Sequence, residues 1–268
     1  MEYLMIFSQD DEDLILYHVL KNVSKIRWID VGANDPVYAS VTKFFSMWGG
    51  VGINIEPQHS FYNKLLKDRG KDINLELGVS NEPGELKLYG REGSQVASFA
   101  RKNGLNAKAK PKAVKVKTLK AICEDHLAKG EDVHFMKIDV EGWEKPCLEG
   151  MDFDYVKPWI LCIEASDPGS SKPLHIEWES IVERAGYTFT MQYKVNRYYV
   201  SDEHKDLIVR FMNPQELRKV YNVTKWTDAN YNEKIEEFIR RIKDMKILKP
   251  ARLIYNRRKN RMAQRGMK

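Results

Sequence analysis

Arg27-Trp28-Ile29-Asp30-Val31-Gly32-Ala33-Asn34 reads as a short apolar strand that ends in an acid and a glycine turn. A chain that leaves a parallel strand this way opens a crevice at the strand's carboxyl end, where open α/β sheets bind ligands. Gly32 permits the tight turn and lets the backbone approach a ligand closely. Working outward, Val51-Gly52-Ile53-Asn54-Ile55-Glu56 is a second apolar strand closed by a carboxylate. An acid there can accept hydrogen bonds from both hydroxyls of a ribose. A helix over about 40–48 is expected between the two, with Val41, Phe44, Phe45 and Trp48 on one face and Gly49-Gly50 as its stop. A second helix carries Phe61, Leu65 and Leu66 and stops near Gly70, and residues 73–79 follow as a third strand. This βαβαβ rhythm predicts a parallel sheet with right-handed crossovers.

Upstream, Ser8 or Asp10 is expected to cap a helix that carries Leu14, Ile15 and Val19 inward, with a solvated acidic first turn. Downstream, residues 85–89 read as an added edge strand, and 90–111 as a loop of the length that is usually functional. Residues 114–118 lead into a helix with Leu119, Ile122, Cys123 and Leu127. Two further strands end in acids, one at Asp139-Val140-Glu141-Gly142 and one at Glu164. A helix from Glu144 tolerates Pro146 in its first turn, and another spans 177–185. Residues 187–192 and 197–200 form a closing hairpin with Asn196 as a turn residue. No internal repeat interrupts this order.

Composition sets the bounds. With 268 residues and 43% hydrophobic content, the chain can bury one good-sized core and carry appendages. No apolar run reaches the roughly 18 residues of a membrane-spanning helix. Residues 1–7 lack the basic start and apolar run of an export signal. The three cysteines are odd in number and lack metal-type spacing, so a reduced, cytoplasmic setting is expected. The net charge of +6 is concentrated at the carboxyl end, where residues 250–268 hold seven Lys/Arg and no acid. We therefore divide the chain into a ligand-binding domain at 1–220 and a helical, basic extension at 221–268. In the extension Ile235, Phe238, Ile239, Ile242 and Met245 form one stripe suited to core packing or to an oligomer interface. The basic run suits solvent, the anionic inner face of a membrane, or an acidic partner.

Four expected strands thus place Asp30, Glu56, Asp139 and Glu164 at one sheet edge. Any one of these acids could cap a helix; the set converges on a crevice. The dinucleotide pattern G-x-G-x-x-G is missing, because Ala33-Asn34-Asp35-Pro36 follows Gly32 and Asp35 would repel a pyrophosphate. No G-x-x-x-x-G-K-[ST] loop for a triphosphate occurs either. Acids around one small turn suit a cation with ribose hydroxyls and an ammonium, which describes S-adenosylmethionine.

At these residues the sequence resembles the FkbM-type methyltransferases, over roughly residues 8–220. The matching blocks include Asp30-Val-Gly-Ala-Asn-Asp-Pro36, Gly52-Ile-Asn-Ile-Glu-Pro57, Phe135-Met-Lys-Ile-Asp-Val-Glu-Gly142 and Leu148-Glu-Gly-Met-Asp-Phe153. Ser8-Gln9 with Glu12-Asp13, Glu164-Ala-Ser-Asp-Pro168, His175-Ile-Glu-Trp178 and Asn196-Arg-Tyr-Tyr-Val200 also match. Two departures stand out: Trp143 where the family usually has alanine, and Tyr193-Lys194-Val195 in place of an aspartate-glycine pair. The resemblance implies a class I, Rossmann-like α/β fold: a mostly parallel sheet with a terminal antiparallel hairpin, flanked by helices. It further implies an S-adenosylmethionine-dependent O-methyltransferase acting on a sugar hydroxyl of a glycan, glycoside or nucleotide-sugar-derived acceptor. Glycan-assembly enzymes would then be its working neighbours.

For the cofactor, Glu56 and Pro57 are assigned to the ribose, and Asp30, Gly32, Ala33, Asn34 and Asp35 to the methionine part. Val79 and Ser80 border the adenine, while Gln9 and Glu12 either close over the cofactor or cap the first helix. For catalysis Asp139 is the first candidate base, also bordering the cofactor, with Glu141, Glu164 and His175 lining the same mouth. Lys137 shares the strand parity of Asp139. Asp139 with Glu164 could instead hold Mg²⁺, but a third ligand is not apparent and no metal is assigned. Two other readings compete. An RNA ribose methyltransferase would use the basic charge, yet the basic run lies far from the strand ends, so nucleic acid is not expected. A catalytically silent scaffold would not need Asp139, Glu141 and Glu164 together.

Overall fold

The computed structural model describes residues 2–100, 110–166 and 173–226. In chain order the elements are β1 (Glu2–Ile6), α1 (Glu12–Leu20), β2 (Arg27–Val31), α2 (Val41–Met47), β3 (Val51–Ile55), α3 (His59–Asp68) and β4 (Ile73–Leu75). There follow β5 (Gly78–Val79), β6 (Gly84–Leu88), β7 (Lys112–Lys117), α4 (Leu119–His126), β8 (Phe135–Ile138), α5 (Glu144–Glu149) and β9 (Ile160–Glu164). After a short 3-10 turn at His175–Glu177 come α6 (Glu179–Arg184), β10 (Tyr187–Tyr193), β11 (Asn196–Ser201), α7 (Pro214–Val220) and β12 (Tyr221–Lys225).

Seven strands form the main sheet in the order β10-β11-β9-β8-β2-β3-β4. The run from β9 to β4 is parallel, and β11 pairs antiparallel with both β9 and β10. The expected mixed α/β architecture, parallel with a terminal hairpin, is the one observed. Strand alternation divides the core in two. Trp28, Phe135, Ile160 and Cys162 face one side with Leu14, Ile15 and Phe44 of α1 and α2. Ile29, Met136, Leu161 and Ile163 face the other with Leu119, Ile122, Leu148 and Val182 of α4, α5 and α6. The buried Trp28 ring needs the bare backbone of Gly52, where a Cβ would lie 2.4 Å from the indole. Its N–H donates to Asn54 Oδ1 at 3.0 Å, so the widest side chain of β2 is satisfied as well as packed.

Several details differ from the reading of the sequence. Residues 73–79 are not one strand: Ile73–Leu75 edges the main sheet, while Gly78–Val79 joins β7 and β6 in a separate three-stranded sheet. Residues 84–88 accordingly pair antiparallel with β7, not with the main sheet's edge. Asn196 is the first residue of β11, and the turn falls on Lys194, whose φ of 51° is left-handed. Asp11 and not Asp10 stands at the start of α1, whose first turn is not solvated, and the Ser8 hydroxyl accepts from the Asp13 N–H at 3.4 Å. Asp13 folds back to accept from the Phe7 N–H at 2.6 Å and the Ser8 hydroxyl at 2.6 Å, and Glu12 accepts from the Asp10 N–H at 2.8 Å.

A parallel pairing of β1 with β12 was not apparent from periodicity. It ties residues 221–225 to the amino terminus, so the first residues assigned to the extension pack with the domain. Trp226 continues this contact, stacked at 6.2 Å on Phe7. The apolar stripe at 235–245 and the basic run lie outside the described residues.

Candidate active site

All the strand-end acids gather at the carboxyl rim of the sheet. Asp30 and Lys137 are register partners on β2 and β8, which sets their side chains side by side. Lys137 Nζ lies 3.6 Å from Asp30 Oδ1 and 3.2 Å from Asp139 Oδ2, and donates to the Gly32 carbonyl at 3.4 Å. Burial would lower the pKa of this ammonium, but the carboxylates of Asp139 and Asp30 outweigh burial and raise it, holding it charged. Asp30 is 1% exposed and also accepts from Thr42 Oγ1 at 3.0 Å. It therefore supports Lys137 from beneath and does not reach the crevice. Gly32, with φ of 79°, passes so close to Asp139 that a Cβ would sit 2.0 Å from the Asp139 carbonyl oxygen.

Glu56 ends β3 beside this turn, 2% exposed. Its carboxylate accepts from the Asn34 N–H at 2.9 Å and the Gln58 N–H at 2.7 Å. Burial dominates these bonds and lifts its pKa from 4.5 to about 7. The crevice in front of it is lined by Gly32, Asn34, Glu56, Pro57, Val79, Asp139 and Glu141 among the residues read from the sequence.

The same crevice is lined by Gln58, Gly78, Gln95, Ser98 and Phe99, which were not singled out. The length of the 90–111 loop was the sole signal for Gln95, Ser98 and Phe99, while Gln58 and Gly78 adjoin the expected Glu56 and Val79 strand ends. Ala33 is buried and donates its N–H to the Ile55 carbonyl at 3.1 Å, and Ser80 is buried with its N–H donating to the Lys117 carbonyl at 3.1 Å; neither lines the crevice. Asp35 turns away from it. One oxygen accepts from the N–H groups of Val37 and Tyr38, both at 2.9 Å, and the other meets Lys64 at 2.8 Å. Burial would raise the Asp35 pKa, but these partners together lower it.

A second cluster shares Asp139 and Glu141 with the crevice. One carboxylate oxygen each from Asp139, Glu141 and Glu164 come within 4.8 Å of one another, so Glu141 supplies the third oxygen that a divalent cation would require. Glu144 holds the turn that carries two of them, accepting from the N–H groups of Val140 at 3.2 Å and Gly142 at 3.0 Å. That brace keeps Glu141 at a left-handed φ of 59°. Glu164 pairs in register with Asn196, whose side-chain amide donates to Glu12 at 2.8 Å. Glu12 thus buttresses the hairpin; burial raises its pKa to about 7. Gln9 is exposed, and its carbonyl accepts from Lys225 at 2.7 Å. His175 begins the 3-10 turn and packs edge-on to Trp178 at 6.5 Å.

Residues 30–189 match the family model described as the methyltransferase FkbM domain. The chain belongs to the FkbM methyltransferase family. The match begins at Asp30 and ends within β10, so both the Glu56 crevice and the three-acid cluster fall inside the FkbM methyltransferase domain. One solved structure similar to this chain is a methyltransferase FkbM from Methylobacillus flagellatus KT, 16% identical, with a TM-score of 0.44. The alignment covers 72% of this chain and 56% of that one, so the chain spans little more than half the length of that protein. No curated protein matches the chain. Among its described residues, no helix is long and apolar enough to cross a membrane.

Proposed function

We propose that this chain transfers the methyl group of S-adenosylmethionine to a sugar hydroxyl of a carbohydrate-containing acceptor. The observation that carries the reading is the buried Glu56 carboxylate beside the Gly32 turn, lining one crevice with Asp139. These residues fit an adenosyl group. Glu56 retains lone pairs for ribose hydroxyls beyond the two backbone N–H groups it accepts, and the bare Gly32 leaves room that a side chain would fill. Bound there, the cofactor supplies an electrophilic methyl carried on a sulfonium.

The rest belongs to the protein. A sugar hydroxyl is a weak nucleophile at neutral pH, so a positioned base must take its proton as the bond to carbon forms. Asp139 is that base, 38% exposed at the side chain and turned by the Lys137 ammonium 3.2 Å away. Glu141 and Glu164, converging beside it, accept hydrogen bonds from neighbouring hydroxyls of the acceptor and orient the reacting one. The chain leaves the described fold at Trp226, close to Gln9 and Tyr38 at the rim. The basic run that follows would favour an acceptor held on an anionic surface. Titration calorimetry with S-adenosylhomocysteine tests the cofactor half of the proposal: absence of heat rejects it. Asp139→Asn tests the base, and kcat should fall by about 10²–10⁴-fold; unchanged turnover removes Asp139 from that role.

A further inference from the structure

The crevice is narrower than its lining suggests. The free room inside is ≈ 40 Å³, enough for roughly three water molecules and far short of a purine. The segment from Gly90 to Ala100 takes up the remainder. Among its fastenings, Tyr89 and Ser98 exchange backbone hydrogen bonds of 2.8 and 2.9 Å, the Ser98 hydroxyl donates to the Glu141 carbonyl at 2.9 Å, and the Glu92 carboxylate accepts from the Ser60 N–H at 2.9 Å. Gln58 clasps it with both ends of its amide, to the Ser94 carbonyl at 2.9 Å and the Gly93 N–H at 2.8 Å. The Asn34 amide donates to the Gln95 carbonyl at 3.3 Å.

Gln58 and Asn34 are neighbours of the ribose acid and the glycine turn, so the fastening uses the crevice's own polar groups. At the end of the segment the Phe99 ring lies on Gly78, so close that a Cβ there would be 2.3 Å from it. It meets Trp143 edge-on at 6.1 Å. Trp143 contributes a second feature: among the described residues its indole N–H is enclosed without an acceptor. An aromatic ring resting on bare glycine, edged by a tryptophan with a donor to spare, has the shape and chemistry of a purine slot. Here it is filled by a side chain of the protein.

We infer that Phe99 holds the place of the adenine, and that the Gly90–Ala100 segment is a wall of the cofactor site which must move for an adenosyl group to enter. The inference rests on the adenosyl reading above and extends it to named binding residues. Once the ring has swung off Gly78, it covers the exposed face of the bound base. An aromatic cover of this kind contributes roughly tenfold or more to retention of a stacked base.

Stopped-flow binding of S-adenosylhomocysteine to the full chain tests the inference. In the wild type the observed rate should level off with ligand concentration, because opening of the wall limits it. In Phe99→Ala the rate should rise linearly, and release should be about tenfold faster. Ser98→Ala, which keeps the ring and removes one fastening, should raise the plateau several-fold and guards against a misfolded first variant. Amide exchange at Tyr89 and Ser98 should change when the ligand binds. Linear kinetics in all three proteins, or unaltered exchange at these amides, overturns the inference while leaving the cofactor reading intact. A wild type that binds no ligand at all removes both.

Discussion

Replacing Glu56 by glutamine separates the cost of burying this acid from its use. Its folded pKa, raised by burial from 4.5 to about 7, means that the native state holds the proton more tightly than the unfolded chain does. Below pH 4.5 both states are protonated and the group contributes no pH dependence. Between 4.5 and 7 the unfolded chain releases its proton while the native one keeps it, so stability declines as pH rises. Above 7 both are ionised and the loss is complete. A shift of this size corresponds to about 3 kcal/mol at 1.36 kcal/mol per unit. Glu56→Gln lacks this titration. It also loses one of the two backbone hydrogen bonds, about 1–3 kcal/mol, but that loss does not vary with pH.

The expected result is therefore a difference of slopes. Relative to wild type, the variant should gain about 3 kcal/mol between pH 4.5 and pH 8, which is a relative rise in Tm of roughly 6–12 °C for a domain of this size. Urea melts of both proteins at several pH values measure it. Glu12, Asp13 and Glu144, the other buried acids with raised pKa values, are common to both proteins and largely cancel. At pH 8 the same variant should bind S-adenosylhomocysteine about 10–100-fold more weakly, for want of a charged acceptor. Parallel stability curves would refute the burial argument, and undiminished affinity would refute the ribose assignment.

Gly32→Ala should destabilise the fold by at least about 3 kcal/mol, because the new Cβ meets the Asp139 carbonyl at 2.0 Å and the φ of 79° is strained for alanine; a urea midpoint near wild type would contradict this. Lys137→Met should cost about 3–5 kcal/mol by removing the ammonium 3.6 Å from the 1%-exposed Asp30, and a loss under about 1 kcal/mol would show that the Arg69 guanidinium suffices to balance Asp30. EDTA should leave the methyl-transfer rate unchanged; a rate that collapses and returns with Mg²⁺ would assign Asp139, Glu141 and Glu164 to a cation in place of general-base work.

Much of this architecture is visible in linear order. Apolar runs at 27–31, 51–55, 135–138 and 160–164, each ending in or followed by an acid or a glycine turn, specify parallel strands because a buried strand needs apolar groups on both faces. Glu56, Gly32 and Asp139 could be picked out for the same reason: a polar group just past a buried strand reaches the rim and little else. Asp35 could not be sorted from them, since only folding brings Lys64 within 2.8 Å of it and turns it aside.

What the sequence determined alone was the order of strands and helices, the family, and the acids at the strand ends, because these depend on local periodicity and short spacings. What only the tertiary structure decided was how distant segments meet. The pairing of residues 2–6 with 221–225, the departure of residues 78–79 from the main sheet, and the Phe99 ring on Gly78 all join groups with no shared period. Their contacts are set by side-chain shape and by hydrogen bonds that form only after the sheet has assembled.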